Sequence, residues 1–227
     1  MSAQPLPLRA PEPTGAHLSF VAPPRGLYVR VGKPLLDRTL AAVLLCATAP
    51  VMAVVAALVR LRIGTPVLFR QRRLGLDGEP FDVVKFRTMA PDRRLGERRT
   101  SPRGRRADRR QVHKSDEDPR HTALGRRLRQ WSLDELPQLW NVLRGEMSLV
   151  GPRPEMAAIV ERYEPWQRQR HLVRPGITGL WQVSRRGEGM MHLYTDIDLE
   201  YVATIGFVTD LRILLRTVPA ALTRSGS

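Results

Sequence analysis

From Thr39 to Val59 the chain runs for 21 residues without a charge, as TLAAVLLCATAPVMAVVAALV. A straight helix of that length rises roughly 30 Å, about the hydrocarbon thickness of a bilayer. A buried core helix is the competing reading, and the length of the uncharged run weighs against it. Two features bend the simple picture of a membrane span. Pro50 sits mid-run, where it removes a backbone hydrogen bond and crowds the preceding turn. Both flanks are basic: Arg25, Arg30, Lys33 and Arg38 before, and Arg60, Arg62, Arg70, Arg72 and Arg73 after. Cationic flanks favour the cytoplasmic side. A bent helix that enters and leaves by one leaflet satisfies both flanks, whereas a straight span strands one outside. The re-entrant form over residues 33–62 is the expectation carried forward, with the straight span as its rival.

What surrounds this segment is strongly basic. The 227-residue chain carries a formal charge of +15, almost all of it from arginine, with Lys33, Lys85 and Lys114 the only lysines. Guanidinium forks match phosphate oxygens, so the surface suits nucleic acid, anionic lipid or a phosphorylated substrate. Arginine-rich codon usage would produce the same bias. Cys46 stands alone and cannot form an internal disulfide. Residues 1–32, with prolines at 5, 7, 11, 13, 23 and 24, read as a mobile tail unlike a signal peptide. A catalytic domain is expected over 63–222. Within it, 66–89 reads as a β-hairpin turning at Asp77-Gly78, and 92–117 as a basic, solvated loop. The last amphipathic stretch, 207–218, could lie on the core or on a membrane surface.

From Thr122 to Leu143 the spacing predicts helix, with Leu133, Leu136, Trp140 and Leu143 on an apolar face and Asp134, Gln138 and Asn141 on another. A further helix is expected over 155–172, and a turn running into a short strand over 174–184. Two acids, Asp134 and Glu135, stand side by side in the first of these segments. Ser132-Leu133-Asp134-Glu135 fits a helix capping box, which gives the acids a structural role. Their surroundings argue for chemistry. Gly151-Pro152-Arg153-Pro154 and Arg174-Pro175-Gly176 are stiff turns, each presenting one guanidinium suited to a phosphate. Carboxylates can act on phosphorus only where cations offset the repulsion between like charges.

Four stretches taken in order, KPLLDRTLAAVLL, QRRLGLDGEPFDVVKFRTM, DPRHTALGRRLRQWSLDELPQLWNVLRGEMSLVGPRPE and RPGITGLWQVS, resemble the small monotopic phosphoglycosyl transferases of the bacterial sugar transferase family. The likeness implies an α+β, membrane-associated fold with a re-entrant N-terminal helix hairpin, a small β-hairpin and several interfacial helices. It implies transfer of a sugar 1-phosphate from a UDP-sugar to polyprenyl phosphate, releasing UMP, at the start of exopolysaccharide or glycoconjugate synthesis. Asp134 would be the nucleophile and Glu135 a ligand of Mg²⁺. Arg153, Arg174, Asp198, Lys85 and Arg87 would contact substrate, and Ala49-Pro50 would be the break in the membrane helix. Membrane lipid is an expected partner and nucleic acid is not, while an oligomer is left open. The expected location is the cytoplasmic face of the inner membrane.

This sequence departs from the family pattern after WQVS, where Arg185-Arg186-Gly187 replaces the common Gly-Arg, and that puts the sugar's identity in doubt. The rival reading is a non-catalytic basic protein docking on anionic lipid or nucleic acid. Such a module has no need of Asp134 beside Glu135.

Overall fold

The computed structural model describes residues 21–90, 120–184 and 194–222. The expected loop 92–117, the Arg185-Arg186-Gly187 departure and the first 20 residues of the expected tail lie outside them. A π-helical turn, Tyr28–Gly32, runs directly into α1, Lys33–Arg62. The last part of the expected tail is therefore structured. The Val21 N–H donates to Gln169 Oε1 at 2.5 Å, and the Tyr28 hydroxyl donates to Asp210 at 2.6 Å.

No loop divides α1 at Pro50; the helix continues through it. One narrow stripe of α1 faces the protein body: Lys33, Asp37 and Ala41 near its start, Val55 and Val59 near its end. Most of the remaining apolar surface is open, including Leu35, Val43, Val51, Val54 and Leu61. Both ends of α1 thus pack on the same body. The first end is fastened by a polar network. Lys33 Nζ lies 2.7 Å from Asp210 and 3.6 Å from Asp37, the Ser148 hydroxyl donates to Asp37 at 2.6 Å, and the Tyr201 hydroxyl donates to Asp210 at 2.7 Å. The second end is fastened by burial of Val55 and Val59 against Phe86 and Leu128.

β1, Leu68–Leu74, and β2, Pro80–Phe86, form the antiparallel hairpin read from the sequence. Its turn carries Asp77 at φ 54 and Gly78 at φ 79, the left-handed conformations that Asp-Gly tolerates. The expected helix over Thr122–Leu143 is broken. α2, Ala123–Gln130, is capped by the Thr122 side chain, which accepts from the Gly125 N–H at 2.9 Å. The chain then reverses at Ser132, φ 54, and makes a 3₁₀ turn, Leu133–Glu135, before α3, Gln138–Leu143. Pro137 stands at the N-cap of α3, where its missing N–H costs nothing.

The stretch 155–172 is likewise not one helix. It divides into α4, Ala157–Val160, α5, Pro165–Arg168, and a 3₁₀ turn, Gln169–Leu172, with Pro165 starting a new element. β3, Ser148–Val150, pairs in parallel with β4, Gly176–Thr178, and the residues after β4 form α6, Leu180–Ser184, where strand was expected to continue. α7, Thr195–Thr204, and α8, Phe207–Leu222, complete the described chain. α8 packs on the core, one of the two readings left open for 207–218. Asp210 and Ile213 are buried, while Phe207, Val208, Leu211 and Leu215 are exposed.

The main core gathers Ala41, Phe81, Val83, Leu139, Val142 and Leu149 with Tyr201 and Ile213. The expected apolar face of 133–143 is not the face turned to this core. Trp140 is exposed, whereas Asp134, Gln138, Leu139, Asn141 and Val142 are buried. Asn141 supports that polar interior. Its side chain accepts from the Val84 N–H at 3.1 Å and donates to the Asp82 carbonyl at 2.8 Å and to Glu146 at 2.7 Å. Both amide groups are satisfied, so α3 can turn a polar side inward against β2.

Candidate active site

Two separate elements converge on Glu135. Lys85, near the end of β2, places Nζ 2.6 Å from Glu135 Oε1, and Arg153, in the turn after β3, places a guanidinium nitrogen 2.8 Å from the same oxygen. The capping box expected at Ser132 and Glu135 is absent. Ser132 makes no side-chain cap, and the Glu135 carboxylate is given to the two cations. Asp134, next to it, is 7% exposed.

The two acids carry opposite electrostatic burdens. Burial pushes the Asp134 carboxyl up, Glu135 adds to the shift, and Lys85, Arg153 and Arg129 offset only part. Burial alone would also raise Glu135, but Arg153 and Lys85 outweigh it and hold that carboxyl well below the usual range. The site thus holds one firmly ionised acid, clamped by cations, beside one whose charge the fold disfavours.

The turn carrying Arg153 is held rigidly. The Gly151 N–H donates to Thr178 O and the Gly176 N–H to Pro152 O, both at 2.9 Å, and a side chain on either glycine would strike the facing backbone. Behind it, Arg170 donates to the Arg153 carbonyl at 2.7 Å and to the Tyr163 hydroxyl at 2.8 Å. Asp198 sits 2.6 Å from Arg170. The turn's far end is tied to the hairpin, where Arg73 meets Glu155 at 3.2 Å and the Leu74 N–H donates to Glu155 O at 2.9 Å.

Of the residues expected to contact substrate, the structure brings Lys85 and Arg153 to the acidic pair. Asp198 is buried, 2% exposed, with burial pushing its carboxyl up to about 6. It reaches the site only through Arg170 and the Arg153 backbone, so its place here is that of a support. Arg174 donates to the Gly145 carbonyl at 2.9 Å, and Arg87 donates to the Thr65 carbonyl at 3.0 Å. The backbone of the Arg174 turn touches that of the Arg153 turn, yet the two side chains take different partners. Sequence reasoning missed Arg73, Glu155, Arg170 and Arg129. The strand alternation carried a signal for the first: Phe69, Gln71 and Arg73 pair across the hairpin with Lys85, Val83 and Phe81, so Arg73 and Lys85 share a face.

A divalent ion has a sparse place here. Among the described residues no group of three or more His, Cys, Asp or Glu side chains could hold a metal. Mg²⁺ accepts such a site because it keeps several waters and binds through one or two carboxylates plus substrate phosphates. Asp134 and the second oxygen of Glu135 fit that role.

Residues 28–224 match the family model described as bacterial sugar transferase. The chain belongs to the bacterial sugar transferase family. This sugar transferase is 41% identical over 194 residues to the uncharacterized sugar transferase EpsL of Bacillus subtilis, covering 86% of this chain and 89% of that one. It is 41% identical over 203 residues to the UDP-glucose:undecaprenyl-phosphate glucose-1-phosphate transferase of Caulobacter vibrioides, covering 86% and 71%. It is 38% identical over 224 residues to the exopolysaccharide production protein ExoY of Rhizobium meliloti, covering 97% and 95%. The family resemblance read from the sequence holds over most of the chain, and membership sets aside the non-catalytic docking reading.

Proposed function

We propose that this sugar transferase moves a sugar 1-phosphate from a UDP-sugar to polyprenyl phosphate in two steps, through a phosphosugar bound to Asp134. In the first, an Asp134 carboxylate oxygen attacks the β-phosphorus. The bond from that phosphorus to the oxygen bridging the α-phosphate breaks, the electron pair leaves with UMP, and an acyl phosphate forms on Asp134. In the second, a phosphate oxygen of the acceptor attacks the same phosphorus, the Asp134 carboxylate departs, and a polyprenyl diphosphate sugar results. Covalent catalysis divides one difficult transfer into two easier ones.

The observation that carries this reading is the arrangement of charge: a buried Asp134 beside Glu135, whose one oxygen is shared by Lys85 and Arg153. Lys85 and Arg153 lower the repulsion between a carboxylate nucleophile and a diphosphate, and the arginine fork suits two phosphate oxygens at once. Glu135 keeps both cations aimed at the nucleophile. Mg²⁺, held by Glu135 and Asp134, would supply further neutralisation of phosphate charge.

We also infer that the protein is monotopic, with both ends of α1 on the cytoplasmic side of the membrane. The support is that both ends pack on one body while the apolar surface between them stays open. Trp131, Trp140 and the apolar residues of α8 are also exposed, as expected for a protein seated in the interface.

The test uses the purified protein with UDP-glucose or UDP-galactose and Mg²⁺, without acceptor. UMP should appear in an amount matching the enzyme, and the peptide containing Asp134 should gain the mass of one hexose phosphate. An adduct on another residue, or turnover by Asp134→Asn, overturns the assignment.

A further inference from the structure

One turn that reads from the sequence as a phosphate binder takes no part in the acidic site. Arg174, of Arg174-Pro175-Gly176, donates through Nε to the Gly145 carbonyl at 2.9 Å. Gly145 follows the end of α3 at φ 78, and a side chain on it would strike a second guanidinium, that of Arg38 in α1. Two arginines from separate elements thus converge on one glycine, and both line a shallow depression between α1 and the end of α3. Among the described residues neither meets a carboxylate within 4 Å. Asp37 also lines the depression, but its carboxylate is taken by the Ser148 hydroxyl at 2.6 Å, the Leu149 N–H at 3.3 Å and Lys33 at 3.6 Å.

We propose that Arg38 and Arg174 grip the phosphate of an anionic phospholipid headgroup, at a site separate from sugar donor and acceptor. The inference rests on α1 lying in the bilayer, and needs neither the two-step chemistry nor one topology of α1. Two guanidiniums brought together without a carboxylate repel each other, and a phosphate between them removes that cost while its oxygens match both forks. The position selects a lipid over a free anion. Arg38 is the last charged residue before the uncharged run 39–59, and Leu35, Leu36, Leu40 and Val43 around it are exposed. A phosphate held at Arg38 therefore has its acyl chains alongside open apolar surface of α1. The depression, about 10 Å³, is too small to enclose a phosphate, so the anion stays at its mouth. A headgroup esterified on both sides can reach such a mouth, whereas an enclosed pocket would exclude it. The same grip explains why Arg174 and Arg153 share a local signature and part company in the fold. Arg153 is spent on Glu135, and Arg174 is left for a phosphate at the membrane surface.

The test is lipid retention by the full chain, released from detergent and weighed by native mass spectrometry. Dioleoylphosphatidylglycerol and dioleoylphosphatidylcholine are offered at equal concentration. The wild type should keep one phosphatidylglycerol in preference to phosphatidylcholine. Arg38→Gln should weaken that retention roughly fivefold, as expected for one cation lost at an anionic surface, and Arg38→Gln with Arg174→Gln by roughly tenfold or more. Arg70→Gln, an exposed arginine on the hairpin, should bind as the wild type does. Arg38 makes no hydrogen bond to a described residue, so the Tm of Arg38→Gln should match the wild type, and that variant carries the test even where the double change unfolds the chain. Equal retention of the two lipids, unchanged retention by Arg38→Gln, or an equal loss in Arg70→Gln overturns the proposal. Displacement of the lipid by excess inorganic phosphate overturns it too, by making the site one for a free anion. Flotation with phosphatidylcholine–phosphatidylglycerol vesicles separates the two layers of the argument: a wild type that does not float refutes membrane seating and this site together, whereas one that floats without preferring phosphatidylglycerol refutes this site alone.

Discussion

The opposite burdens on the two acids predict opposite effects on stability. Glu135→Gln leaves Lys85 and Arg153 without the negative charge they share at 2.6 and 2.8 Å. Removing one partner from a fully buried ion pair costs about 3–5 kcal/mol. Here the cation side chains are 22% and 33% exposed, so solvent screens part of the loss. The expected cost is about 2–3 kcal/mol, which for a domain of this size lowers Tm by roughly 4–12 °C. Asp134→Asn removes a charge that burial disfavours, so its Tm should equal or exceed that of the wild type, whereas a helix-dipole role for Asp134 would cost about 0.3–1 kcal/mol. Both variants should lose UMP release. Thermal melts of the detergent-solubilised proteins, run beside the UMP assay, separate the cases. Equal losses of Tm in the two variants would show that both acids serve one structural role and would refute this division of labour.

Arg153→Lys keeps the charge but not the planar fork, so most activity should vanish while the melting curve is preserved; wild-type turnover would confine Arg153 to supporting its turn. His171 donates from Nδ1 to the Gly75 carbonyl at 3.0 Å, and burial, with Arg170 and Arg168 nearby, pushes its pKa down to about 4. The unfolded chain therefore binds the extra proton first: stability should hold above about pH 6.5 and fall towards pH 4, by at most about 3 kcal/mol, and His171→Gln should flatten urea midpoints across that window. With Cys46→Ala as background, single cysteines at Arg30 and Thr65 should show the same accessibility to an impermeant thiol reagent in intact cells; labelling of only one from outside would establish a span through the membrane.

Several parts of this arrangement were legible in the sequence for local reasons. Asp77-Gly78 dictated its turn because few other pairs accept two consecutive positive φ angles, and the alternation on either side then set the hairpin. Arg153 was legible because two prolines and a glycine leave its turn little freedom. Arg174 carries the same local signature and takes a different partner, since what separates them is the parallel pairing of β3 with β4, and no short stretch encodes that. Arg87 follows Lys85 by two residues and so promised the same face. It lies beyond the last residue of β2, where the ladder ends, and its guanidinium turns to Thr65.

The misread face of α3 carries the most information. Leu133, Leu136, Trp140 and Leu143 do form an apolar stripe, and periodicity detects such a stripe without saying what covers it. A soluble domain has one apolar destination, its own core. A protein seated in a bilayer has two. Trp140 is 52% exposed and Trp131 42%, while Asn141, on the buried side, has its amide held by β2 and Glu146. Under the monotopic reading this local inversion is what the chemistry requires. On that reading Asp134 meets phosphates in a polar, protein-lined pocket, while Trp131 and Trp140 meet lipid. One short turn can serve both only by facing its polar side inward and its apolar side toward lipid. On that reading, a polar stripe of Asp, Gln and Asn at helical spacing, opposite leucine and tryptophan, is itself a sequence signal of chemistry performed at a membrane surface.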